Sequence, residues 1–84
     1  MDRILLVEDN KVVSRTIERK LISHNFVVDC VFNAEDALVQ FNKHQYSGIV
    51  LDLNLPKMNG YAFLQILRKK SDIPVIINTS HASV

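Results

Sequence analysis

Two short apolar runs in this sequence stop at carboxylates: Ile4-Leu5-Leu6-Val7 gives way to Glu8 and Asp9, and Ile49-Val50-Leu51 to Asp52. Thr79 stands just beyond a third run, Ile73-Pro74-Val75-Ile76-Ile77. Carboxylates gathered at one place repel and raise one another's pKa, so at neutral pH they need a cation. Mg²⁺ suits an all-oxygen donor set, because it takes one or two carboxylates directly, keeps several waters and leaves room for a phosphoryl oxygen. Asp52 is set apart from the other two acids: it ends an apolar run directly and precedes a Pro/Gly loop, a position that holds its carboxylate in a shallow pocket. Such a carboxylate can attack phosphorus and form an aspartyl phosphate when a metal neutralises the incoming charge. The Thr79 hydroxyl could then bond a phosphoryl oxygen, making the conformation of that sheet edge depend on the modification. Taken singly, each acid reads as a solvated loop residue and Thr79 as a turn former. Their shared placement after separate apolar strands favours one site.

Whether these groups meet depends on the elements that carry them. The run at 4–7 has no polar alternation and fits a strand buried on both faces. Asn10 is a good N-cap, and Val13, Ile17 and Leu21 recur every four residues among charged ones, which predicts an amphipathic helix over 11–23. Asn25 tolerates the left-handed geometry of a helix end, and Phe26 to Val31 has strand composition. Asn33 can cap a second helix running to about residue 43, with Glu35 and Asp36 in the first turn where the dipole favours them. Gly48 to Leu53 reads as a third strand. Residues 54–60, Asn-Leu-Pro-Lys-Met-Asn-Gly, have turn chemistry, and the stripe Tyr61, Phe63, Leu64, Ile66 and Leu67 predicts a third helix closed by Arg68, Lys69 and Lys70. Ile73 to Ile77 is the fourth strand, with Pro74 at its start, where a missing N–H is tolerated. Strands alternating with helices give a parallel sheet with helices on both faces. In such sheets ligands bind outside the carboxyl ends of the strands, where all the candidate residues lie.

Composition narrows the function classes. Eighty-four residues are one small domain, and ten basic against nine acidic residues leave a formal charge of +1, without the excess that phosphate-backbone binding requires. No direct nucleic-acid contact is expected of this segment. Cys30, the single cysteine, allows no internal disulfide and suits a reducing compartment, so the cytoplasm is expected. The longest uncharged stretches are too short for a membrane span, and no signal peptide is visible. His24, His44 and His81 lack ligand spacing.

Three segments carry a resemblance: Ile-Leu-Leu-Val-Glu-Asp-Asn at 4–10, Ile-Val-Leu-Asp-Leu-Asn-Leu-Pro-Lys-Met-Asn-Gly at 49–60, and Ile-Pro-Val-Ile-Ile-Asn-Thr-Ser at 73–80. In type and order they resemble the receiver domain of bacterial two-component response regulators. The resemblance implies a flavodoxin-like, doubly wound α/β fold with strand order 2-1-3-4-5. It implies that Asp52 accepts a phosphoryl group from a histidine kinase or phosphotransfer protein and is the phosphoacceptor of a conformational switch rather than part of an enzyme acting on other substrates. Glu8, Asp9 and Asp52 would hold Mg²⁺ with the backbone carbonyl of Asn54, and Thr79 would be the switch hydroxyl. Residues 1–84 are then expected to be the N-terminal portion of a single receiver domain. The family's fifth strand and flanking helices, its phosphate-pairing lysine and its switch aromatic have no match here, and Lys57 reads as a solvated loop residue. With that part uncovered, self-association is expected through the edge of the fourth strand or an uncovered face. The main rival reading is a receiver-shaped interaction module that works without phosphorylation, and another is an inactive truncated fragment. A haloacid-dehalogenase-type phosphatase would want an aspartate where Asn54 stands, and a dinucleotide-binding unit would want glycines at 8–11.

Overall fold

The computed structural model describes residues 2–78. The elements run β1 (Arg3–Val7), α1 (Lys11–Ser23), β2 (Val27–Val31), α2 (Ala34–Lys43), β3 (Gly48–Asp52), α3 (Gly60–Arg68) and β4 (Val75–Asn78). All strand pairs are parallel, in the order β2-β1-β3-β4. The chain steps from β1 outward to β2 and then crosses back to β3. With right-handed crossovers that reversal places α1 on one face of the sheet and α2 and α3 on the other.

Local chemistry accounts for the boundaries. Asn10 caps α1, its side-chain oxygen accepting from the N–H groups of Val12 and Val13 at 3.0 and 3.1 Å. Asn33 caps α2 through the Asp36 N–H at 2.7 Å, and Asn59 caps α3 through that of Ala62 at 2.9 Å. Asn25 takes φ 69°, the left-handed conformation anticipated for it after α1. Two strand ends differ from expectation. Leu53 falls outside β3, because its carbonyl turns to the N–H of Gly60 rather than to a neighbouring strand. β4 starts at Val75 and extends to Asn78, since Pro74 has no N–H for the ladder and contributes only its carbonyl, to the Ile49 N–H.

The two faces are packed unequally. Leu5, Val7, Ile49 and Leu51 face α2 and α3, where Ala34, Ala37, Phe63 and Leu67 complete a buried core. On the other face Ile4, Leu6 and Val50 pack against Ile17 and Leu21 of α1. Beyond α1 that face stays open as a groove of about 360 Å³ lined by Ile4, Leu21, Phe26, Val50, Pro74 and Ile76. Ile76 is 67% exposed there. Within α3 the core stripe is narrower than the sequence implied: Phe63 and Leu67 are buried, while Tyr61 and Ile66 face water. No helix among the described residues is long and apolar enough to cross a membrane.

Candidate functional site

β1 and β3 are neighbours, and their register pairs Val7 with Leu51. One residue further on, Glu8 and Asp52 therefore stand side by side at the carboxyl end of the sheet. Strand alternation puts both on the α1 side, two residues beyond Leu6 and Val50. Asp9 completes the group: one carboxylate oxygen from each of Glu8, Asp9 and Asp52 lies within 4.8 Å of the others. Glu8 and Asp52 are 0% and 1% exposed, whereas Asp9 is open to solvent, so the cluster is anchored in the fold and reachable from one side.

Backbone groups orient these acids. Glu8 Oε2 accepts from the Asn10 N–H at 3.1 Å, so the residue that caps α1 also fixes the acid two positions before it. The Glu8 N–H donates to the Val31 carbonyl at 3.1 Å, extending the β1–β2 ladder by one residue. Asp52 Oδ1 accepts from the Asn54 N–H at 3.0 Å, which draws the loop after β3 over the carboxylate. That loop is held at both ends of its arc. Leu55 is buried in the α2–α3 core, and Lys57 takes a left-handed φ of 62° while its side chain stays exposed. Gly60 then begins α3 so close to the strand end that a Cβ there would lie 2.6 Å from Leu53 Cα and 2.7 Å from the Asp52 carbonyl oxygen. Only glycine allows this approach without displacing the backbone beside Asp52.

The electrostatics follow from this packing. Burial pushes the Glu8 carboxyl up to about 7, against the lowering effect of the Asn10 N–H, and the neighbouring Asp52 and Asp9 add to the rise. Three acids with only oxygen donors, two of them buried, fit a small hard divalent cation and offer nothing to a soft one. The expected Glu8, Asp9 and Asp52 are thus brought together. Residue 54 is anchored beside them through its N–H. Thr79 lies outside the described residues. Asn78 joins the group unforeseen, its Nδ2 donating to Glu8 Oε1 at 3.4 Å. A polar residue at the end of an apolar strand, in step with Asp52, was the available signal.

Comparison with known proteins gives a consistent picture. The family model described as response regulator receiver domain matches residues 4–84. The probable transcriptional regulator ycf27 of Porphyra purpurea is 39% identical over 83 residues, covering 99% of this chain and 34% of its own length. The chain spans about a third of the length of the curated relatives it matches. Among solved structures, response regulator protein TrrA from Thermotoga maritima in complex with Mg²⁺ and BeF is 29% identical with a TM-score of 0.85, over 99% of this chain and 75% of that one. The structure of histidine kinase ThkA in complex with TrrA matches at 29% identity and a TM-score of 0.90, over 98% of this chain and 72% of that one.

Proposed function

This chain belongs to the response regulator receiver domain family, and on that premise we propose that Asp52 is its phosphoacceptor. The observation that carries the proposal is the convergence of three carboxylates at the carboxyl ends of β1 and β3, two of them buried. Glu8, Asp9 and Asp52, with the Asn54 carbonyl, hold Mg²⁺, whose charge, when bound, offsets that of an incoming phosphoryl group. The chain's own residues do the positioning. The Asn54 N–H holds Oδ1 of Asp52, and the Asp52 carboxylate is the nucleophile. In the transfer the Oδ–P bond forms as the bond from phosphorus to the donor, a phosphohistidine of a kinase or phosphotransfer protein, breaks. Thr79 serves as the switch hydroxyl that reads the phosphoryl group. The domain promotes its own phosphorylation and dephosphorylation and no reaction on other substrates.

The chain works as part of a single receiver domain, in the cytoplasm with its kinase and with no direct nucleic-acid or membrane contact. In isolation these residues self-associate. Support comes from β4, an edge strand among the described residues, with Ile76 and Ile77 exposed. The phosphoacceptor assignment is tested by incubation with acetyl phosphate and Mg²⁺ followed by intact-mass and peptide mapping. A phosphoryl adduct confined to the peptide carrying Asp52 and absent when Mg²⁺ is chelated before the donor is added supports it, and an adduct elsewhere refutes it. A receiver-shaped module that works without phosphorylation would give none.

A further inference from the structure

β4 carries one polar residue, Asn78, at its carboxyl end, and the Cα partner of Asn78 on β3 is Asp52. Its carboxamide nevertheless bonds to Glu8, on β1, at 3.4 Å. β1 and β4 each pair with β3 and not with one another. The contact therefore spans two strand spacings, about 10 Å between backbones, and crosses the end of β3 beside Asp52. The sheet face agrees with this reading. Ile4, Val50 and Ile76 share the open groove on the α1 side, and Asp52 and Asn78 lie two residues further along that same face.

Glu8 is fully buried, and each of its oxygens is met by a different donor: Oε2 by the Asn10 N–H and Oε1 by Asn78. A buried carboxylate oxygen without a donor is costly, and a carboxylate held at one oxygen alone is freer to turn. An apolar residue at 78, in keeping with the rest of β4, would leave Oε1 without this partner. A lysine would meet it but would also cancel charge that a divalent cation requires. The carboxamide supplies a donor and leaves the charge of the cluster intact.

We propose that Asn78 is a positioning residue that acts through Glu8, holding its carboxylate towards Asp9 and Asp52 and so setting the affinity of the cluster for a divalent cation. This rests on the reading of the three acids as a Mg²⁺ site. Mg²⁺ titrated into the 84-residue chain, followed by amide NMR shifts, gives that affinity directly. Asn78→Val should weaken it about three- to tenfold, as expected for losing one hydrogen bond of ordinary net strength, the 3.4 Å contact being a long one, while Asn78→Gln, which keeps a donor, should recover most of the loss. The Asn78 side-chain amide protons of the otherwise native chain should shift in Glu8→Gln, a readout that does not depend on the Val variant folding. Native affinity in Asn78→Val, an equal loss in Asn78→Gln, or a side-chain amide insensitive to Glu8→Gln would each overturn the proposal. Absence of saturable Mg²⁺ binding by the native chain would instead refute the metal-site reading beneath it.

Discussion

Tyr46 donates its phenolic hydrogen to Asp29 Oδ2 at 2.6 Å, joining the segment before β3 to the middle of β2. The same oxygen accepts from Arg3 on β1 at 2.8 Å and from Gln40 on α2 at 3.5 Å. One carboxylate thus links four parts of the fold on the side of the sheet away from α1. Burial by itself would raise the Asp29 pKa, but the Tyr46 and Arg3 hydrogen bonds outweigh it and hold the group below its ordinary 3.8. Burial and then Asp29 push the Tyr46 hydroxyl up to about 12, so it remains a donor throughout the neutral range.

A depressed carboxyl contributes stability that is fully present above its unfolded pKa and lost as pH falls through the folded one. Asp29 should therefore stabilise the domain at and above pH 4 and lose that contribution as the solution is acidified below its ordinary 3.8. Thermal melts from pH 6 downwards should show a shallower acid limb in Asp29→Asn than in the native chain. Parallel curves would remove this role.

Gly60→Ala should cost about 1–3 kcal/mol, the range for forcing extra volume into close packing, because the new Cβ would meet the backbone of Leu53 and Asp52 at 2.6–2.7 Å. Denaturant unfolding measures the loss. The displacement falls beside Asp52, so Mg²⁺ affinity should fall with stability in this variant. A neutral substitution would mean that α3 can move away freely.

Gathering three carboxylates without a metal is unfavourable, so Asp52→Asn should raise the melting temperature of the chelated protein and remove its stabilisation by Mg²⁺. For the native chain, Mg²⁺ at 100 times its dissociation constant should add about 2.7 kcal/mol. Equal Mg²⁺ stabilisation of Asp52→Asn would show that the ion binds elsewhere.

The groove beside α1 and the exposed edge of β4 predict self-association of the 84-residue chain, because both present apolar surface on a small domain. Light scattering should give a mass above that of a monomer at high concentration, and Ile76→Lys should lower it. A stable, well-folded native monomer would contradict the expectation.

Local chemistry was the legible part of this fold. Asn10 and Asn33 could be read as caps and Asn25 as a left-handed terminus, because each depends on residues within a turn of it. Glu8, Asp9 and Asp52 could be placed together because parallel strands deliver their carboxyl ends to one edge. Tyr61 and Ile66 could not be distinguished from core residues, since their apolar character fits the helical stripe and only the packing of α3 in the folded chain shows that the core reaches Phe63 and Leu67 but not them. Asn78 was illegible as a partner of Glu8 for a related reason. The contact reaches over β3 between strands that never pair, and nothing in the spacing of residues 8 and 78 encodes it.

The central claim is that Asp52 presents a Mg²⁺-dependent phosphoryl site, and fluorine NMR of beryllofluoride, a stand-in for the phosphoryl group, tests it most directly. With Mg²⁺ present, the native chain should give a bound fluoride resonance that disappears on chelation and is absent from Asp52→Asn. No bound resonance in the native chain, or one that persists without Mg²⁺ or in Asp52→Asn, would contradict the assignment.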